Sequence, residues 1–260
     1  MVIEPTFQLT KHLLQAYFPP EEFKLAVIYA PLGYGKTTYQ FKVTADYLMC
    51  RYKLTEKEAW ESVKYLLVFH PEQFFEKLDQ GQELGYDRLL LNWDDAGLWL
   101  FALDFHDPFI EEFIKWLNVA RSDCVGLLCS TPSPMMVIRK LRNFPEAIKI
   151  RIIKPSGHTL GHRMWHRIAK AYHLFLMPDE RKYIVRKMFA DQFICQMPND
   201  FYEWYKPRRK AYAKIARRLL KQRWEELKAR SRLPSVEEEP DLIMPSLKEL
   251  HYIRKYILNL

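Results

Sequence analysis

Apolar residues along the chain fall into two alternating kinds of run. Short, nearly continuous runs of strand length occur at 23–29 (FKLAVIY), 65–69 (YLLVF), 88–93 (RLLLNW), 124–130 (CVGLLCS) and 147–154 (AIKIRIIK). Between them the apolar residues recur at helical spacing. One helix face carries Phe41, Ala45, Leu48, Met49 and Tyr52, and a second carries Ala59, Trp60 and Val63 behind a capping box of Thr55 and Glu58. Pro71 opens a helix with Phe74, Phe75 and Leu78, and Asp107-Pro108 opens one with Phe109, Ile110, Phe113, Ile114 and Leu117. Another is expected from Ser133-Pro134 to just before Pro145. An amphipathic lead-in with Leu13, Leu14 and Tyr17 stops at Pro19-Pro20. Strands alternating with helices predict a three-layer α/β core with a parallel sheet, ending near residue 154.

After Pro155 the period changes. Residues 163–177 and 181–189 read as a hairpin turning at Pro178-Asp179, with 192–197 (QFICQM) as a third strand. Its content of Arg163, Trp165, Arg167, Lys170, Tyr172 and Lys187 suits either a nucleic-acid surface or a solvated sheet face. A long basic helix follows. Residues 233–245 then read as a linker, and Ser246 with Glu249 caps a last helix carrying Leu250, Ile253, Ile257 and Leu260. The expected organisation is a core at 1–154, a β-hairpin extension with the basic helix at 155–232, and a linker with a docking helix at 233–260.

The loop after the first run, 30–38 (APLGYGKTT), carries the chemistry. It lies between a strand and a helix, the setting in which G-x-x-x-x-G-K-[ST] binds phosphate; the pattern is met except that Ala30 stands at its first position. Gly33 and Gly35 let the backbone curl, so that N–H groups of Pro31–Thr38 other than the proline's, including those of Leu32 and Tyr34, face a polyphosphate at a helix N-terminus. Lys36 reaches the β- and γ-phosphates, and the Thr37 hydroxyl suits Mg²⁺. About 60 residues later a strand ends in Asp94-Asp95, the carboxylates a magnesium-dependent NTPase needs beside such a loop. Asp94 is expected in the Mg²⁺ shell. Asp95 is expected to orient or deprotonate the attacking water. Two adjacent acids there also suit a helix cap or turn. The strand at 124–130 delivers Ser130 and Thr131 to the same sheet edge, where Thr131 reads either as a γ-phosphate sensor or, with Ser130, as a cap. No guanine-specific N/T-K-x-D motif occurs, which favours ATP.

Composition sharpens the partner. Hydrophobic residues make up 48% of the 260, enough for a sizeable core. No leader pattern and no long apolar span is seen, so the chain is expected to stay in the cytoplasm of the cell that makes it. Four cysteines without C-x-x-C spacing read as structural thiols. Between Lys206 and Arg232 twelve Lys/Arg stand against Glu225 and Glu226, whereas the whole chain nets only +8, so the remainder is slightly acidic. Arg208, Arg209, Lys210, Lys214, Arg217 and Lys221 form the expected nucleic-acid contact, most of them on one helical stripe. A solvated face or a partner-binding helix is the competing reading.

The stretches GYGKTTY (33–39), DDAGLWL (94–100), STPSP (130–134) and, more faintly, MPNDFYEWYKPRRKAY (197–212) resemble the small DnaA-like AAA+ ATPases of viruses and plasmids of hyperthermophilic archaea, particularly spindle-shaped viruses. That resemblance implies an ASCE-type sheet of order 5-1-4-3-2, ATP hydrolysis with Mg²⁺, and a role in DNA replication. It implies Lys36, Thr37, Asp94 and Asp95 as the site and Thr131 as sensor. The partners it implies are ATP, DNA, further copies of the chain and a viral or host replication protein. Strands after residue 154, where an AAA+ module has a helical lid, depart from the pattern. The chain therefore reads as a replication-initiation or helicase-loading ATPase; the alternatives are a genome-packaging or virion-assembly ATPase and a nucleotide-gated module that does not hydrolyse.

Overall fold

The structure, a computed structural model, describes residues 4–83, 88–104, 107–145, 147–155, 165–176 and 183–231. The expected linker and docking helix, the hairpin turn at Pro178-Asp179, and Arg163 lie outside the described residues. The chain divides into two compact units, Met1–Arg208 and Arg209–Leu260.

In the first unit the helices are α1 (Gln8–Tyr17), α2 (Lys36–Tyr52), α3 (Glu56–Tyr65), α4 (Pro71–Glu83), α5 (Pro108–Leu117) and the single turn α6 (Arg139–Arg142). The strands are β1 (Lys24–Tyr29), β2 (Leu67–Val68), β3 (Leu89–Trp93), β4 (Cys124–Thr131), β5 (Ile148–Ile153), β6 (His166–Leu176) and β7 (Tyr183–Ile194). They form one sheet in the order β2-β3-β4-β1-β5-β6-β7. Read from β5, the parallel section runs 5-1-4-3-2; β6 and β7 then extend it antiparallel. A helix α7 (Asn199–Ser231) begins in this unit and carries the basic segment.

Adjacent residues of β3 show the layering, because successive side chains of a strand point to opposite faces. Asn92 accepts from the Thr44 hydroxyl of α2 at 2.8 Å. Trp93 faces the other way, with its ring centroid 5.4 Å from Phe74 of α4 and 5.7 Å from Phe113 of α5. Each such aromatic pair adds about 0.5–1.5 kcal/mol beyond its buried area. On the α2 side, α1 closes over β4 at Gly126, where a Cβ would come within 2.8 Å of Leu13 and 2.9 Å of the Lys24 carbonyl. The capping box at Thr55 and the Asp107 cap of α5 form as expected.

Three elements differ from the periodic reading. The run at 65–69 yields only the two-residue β2, because α3 continues through Tyr65 and closes with the Leu66 N–H on the Ser62 carbonyl. The helix expected from Ser133 is a 3-10 turn, Pro134–Met136, followed by α6. Between them Val137 is extended and bridges Phe101, with the Ile138 N–H on the Leu100 carbonyl at 3.0 Å. The long-range pairing of Val137 and Ile138, both buried and β-branched, with Leu100 and Phe101 replaces the local helix. Finally, the expected third strand at 192–197 is not separate: β7 runs unbroken to Ile194, with a register shift against Lys170/Tyr172 absorbing the extra residue.

Candidate nucleotide-binding site

Because β1, β3 and β4 are parallel, their carboxyl ends share one edge. Residues 30–35 leave β1 there and turn into α2. Gly33 and Gly35 sit at φ +76° and +90°, conformations that favour glycine. At Gly35 a Cβ would also collide with the Cys195 sulfur, so hairpin packing as well as backbone conformation requires glycine. Lys36 is buried, its Nζ donating to the carbonyls of Ala30 at 3.0 Å and Pro31 at 3.3 Å, which holds the ammonium inside the curl. Ala30 is itself buried and the departure from glycine is accommodated without positive φ. Pro31 and Leu32 are exposed at the loop tip, and the Lys154 ammonium lies 4.5 Å from the Tyr34 ring centre. Thr38 is buried under the loop, within 3.8 Å of the Cys195 sulfur.

Asp94, at the end of β3, is fully buried and accepts from four donors. Its Oδ1 takes the Thr37 hydroxyl at 2.8 Å, the Ser130 hydroxyl at 2.7 Å and the Asp95 N–H at 3.1 Å; its Oδ2 takes the Tyr205 hydroxyl. A buried carboxylate is tolerated only with its oxygens satisfied in this way. Asp95 is partly buried and held left-handed at φ 49°, ψ 42°, its N–H also donating to Ser130 Oγ at 3.0 Å. An aspartate at positive φ, fixed by neighbours on both sides, marks a turn whose shape is imposed. The turn passes Thr131 closely: at Gly97 a Cβ would lie 3.1 Å from Thr131 Oγ1. Thr131 is buried opposite Tyr29, and its hydroxyl donates to the Ser133 carbonyl at 3.0 Å.

The fold thus brings Lys36, Thr37 and Asp94 together, ties Asp95 to them through its main chain, and places Thr131 alongside. Two residues of the network went unassigned in the sequence. Ser130 read only as a cap, although the register that sets Cys129 against Trp93 puts the next residues, Ser130 and Asp94, side by side. Tyr205 carried no local signal, since it reaches Asp94 from 111 residues away. On α7, Arg208, Arg209, Lys210, Lys214, Arg217 and Lys221 are all exposed.

A hydroxyl and a carboxylate oxygen 2.8 Å apart beside a helix N-terminus are hard oxygen donors of the kind Mg²⁺ takes, with its remaining positions filled by water and phosphate. The residues present therefore fit the metal. Among the described residues no group of three or more His, Cys, Asp or Glu side chains clusters as a metal cage. Nor is any described helix long and apolar enough to cross a membrane.

The described residues form an α/β protein with a mixed parallel and antiparallel sheet. No family model matches the chain. It is 24% identical over 213 residues to the uncharacterized protein B-251 of Sulfolobus spindle-shape virus 1, an alignment covering 73% of this chain and 75% of that protein. Among solved structures it is similar to the N-terminal domain of zonular occludens toxin from Neisseria meningitidis, at 14% identity and a TM-score of 0.37, over 69% of this chain and 97% of that one. It is also similar to the genome packaging NTPase B204 from Sulfolobus turreted icosahedral virus 2, solved with ATP-gammaS, at 16% identity and a TM-score of 0.36, over 66% and 100%. The KaiC-like protein PH0186 of Pyrococcus horikoshii gives 13% identity and a TM-score of 0.33, over 63% and 88%. These scores describe a partial likeness.

Proposed function

We propose that the chain binds ATP with Mg²⁺ at residues 30–38 and hydrolyses it. The observation that carries this reading is the Thr37–Asp94 hydrogen bond of 2.8 Å, which joins the loop to the carboxylate at the end of β3. The loop N–H groups and the start of α2 receive the phosphates, and the buried Lys36 ammonium supplies the positive charge next to them. Thr37 and Asp94 are the residues that would hold Mg²⁺, which when bound neutralises charge developing on the phosphate oxygens. Ser130 and Tyr205 keep the Asp94 carboxylate oriented. Asp95, fixed in its left-handed turn, accepts the proton of the attacking water.

The role we favour is a genome-packaging or virion-assembly ATPase that engages nucleic acid through Arg208, Arg209, Lys210, Lys214, Arg217 and Lys221. The observation that favours it over a DnaA-like initiator is the segment after β5. Among the described residues this segment is an antiparallel hairpin continuing the sheet, followed by one long helix, where the AAA+ pattern has a helical lid.

The test is ATP turnover of the full chain alone, with single-stranded DNA and with duplex, for wild type, Lys36→Ala and Asp95→Asn. Expected are loss of nucleotide binding with Lys36→Ala, and retained binding with turnover reduced about 10²-fold or more with Asp95→Asn. An Asp95→Asn chain that turns over ATP at the wild-type rate rejects the catalytic assignment. Tight ATP binding without turnover under any condition identifies the nucleotide-gated module instead.

A further inference from the structure

The two faces of the sheet differ beyond β1. On one, Ile150, Ala169, Asp191 and Phe193 are buried, with Asp191 and Phe193 set against α1 and Tyr39 of α2. On the other, register places Tyr29 of β1 beside Arg151 of β5, and Arg151 beside Lys170 of β6. One row along, Lys149 of β5 stands opposite Tyr172 of β6, and Tyr172 opposite Lys187 of β7. Arg151 and Lys187 are exposed; Tyr29, Lys149, Lys170 and Tyr172 are partly so. No strand position on this face of β5, β6 or β7 among the described residues is an Asp or Glu, since Asp191 points to the other side.

This arrangement opposes the fold's own stability. Like charges directly across a strand pair repel, and Arg151 faces Lys170 in that way. Lys149 is also unfavourably placed: burial pushes its ammonium down from the usual lysine range, and Arg142 of α6 pushes it further. Burial pushes the Tyr29 phenol up while Arg151 pulls it down, so the guanidinium and the ring are neighbours. Four cations and two tyrosines in two adjacent rows span three strand spacings, about 14 Å. A polyanion with flat, unstacked groups relieves the repulsion and occupies the rings at once. A duplex, whose bases are already stacked, offers the tyrosines nothing.

We infer that this sheet face is a binding surface for single-stranded nucleic acid, with phosphates along Lys149, Arg151, Lys170 and Lys187 and bases stacking on Tyr29 and Tyr172. It uses none of the α7 cations, and it does not depend on whether the chain hydrolyses ATP.

The test uses the full chain without nucleotide and a fluorescent oligothymidylate, titrated at several salt concentrations. Arg151→Ala/Lys170→Ala is compared with wild type and with Lys214→Ala/Lys221→Ala on α7. Each phosphate neutralised on a single strand contributes about 0.7 to the slope of log K against log salt, so the sheet-face pair should lower the slope by about 1.4 and weaken binding about tenfold or more. Its melting temperature should equal or exceed that of wild type, because a like-charge pair is removed. Tyr172→Ala should weaken binding severalfold while Tyr172→Phe, which keeps the ring, should not. A sheet-face pair that binds with wild-type affinity and slope overturns the inference and leaves the α7 reading standing. Loss confined to the α7 pair overturns it as well. Equal affinity for poly-glutamate would show a general anion surface and would also overturn it.

Discussion

Tyr205 donates its hydroxyl to Asp94 Oδ2, while Thr37 and Ser130 donate to Oδ1 of the same carboxylate. One buried side chain is thereby held from α2, β4 and α7. The Tyr205 ring packs 5.5 Å from Phe41 and 6.1 Å from Phe69, so its position is set by the core and not by the polar contact alone. The first turns of α7 belong to the candidate site as much as the loop does.

Tyr205→Phe isolates this contact, because the ring and its packing remain. A hydrogen bond to a charged group contributes about 1.5–3 kcal/mol, and denaturant unfolding should show a loss in that range. The phenol holds Oδ2 and so keeps Oδ1 turned toward Thr37, where the metal would be held, so the Mg²⁺ concentration giving half-maximal nucleotide binding should rise severalfold in Tyr205→Phe. A fall would mean that the phenol competes with the metal for the carboxylate instead of orienting it.

Asp94→Asn keeps shape but loses one acceptor oxygen and turns an amide NH₂ toward hydroxyl donors. With four donors converging on the site, at least one is left unmatched at a cost of about 1–3 kcal/mol. Mg²⁺-dependent ATP binding should be lost while the chain still folds, which circular dichroism and isothermal titration would show. Unchanged stability would mean that the donors find other partners.

Gly35→Ala should both strain the backbone at φ +90° and drive a methyl group into Cys195. The loss should exceed about 1 kcal/mol, the usual scale for alanine at an incompatible backbone angle. Adding Cys195→Gly removes the collision but not the strain, so the double variant should recover part of the stability in a thermal melt. No recovery would show that Cys195 moves aside freely.

The alternation of apolar runs made the parallel section legible, because buried strands and amphipathic helices each leave a local period, and the capping box at Thr55 and the Asp107 cap were equally local. The loop glycines were legible because the turn between β1 and α2 takes φ values of +76° and +90°, and the place of Asp94 because the apolar run of β3 ends just before it. What escaped is non-local. Val137 is extended because Phe101 pairs with it, Ser130 faces Asp94 through strand register, and Tyr205 arrives from a distant helix. Arg88 is a further case: it is buried, and its guanidinium donates to main-chain carbonyls including those of Ala16, at 2.9 Å, and Arg121, at 2.7 Å. Nothing around it in the sequence indicates that it clamps α1 to the start of β3.

His12 makes one of the contacts between α1 and the hairpin, and that contact should respond to pH. His12 of α1 stacks on Phe189 of β7 at 5.4 Å, with Asp191 of β7 and Lys24 and Glu22 as charged neighbours. Burial, reinforced by Lys24, lowers its pKa below the ordinary value of 6.5, outweighing the two carboxylates. The folded chain therefore binds this proton less readily than the unfolded chain. The contribution to stability is fully present above the unfolded value, falls as pH drops through it, and levels off below the folded value. Between about pH 7.5 and 5.5, above the range where most carboxylates titrate, the melting temperature of wild type should fall, and His12→Gln should show a smaller fall over the same interval. Equal slopes in the two proteins would assign the pH response elsewhere and show that protonation of His12 does not loosen the contact between α1 and β7.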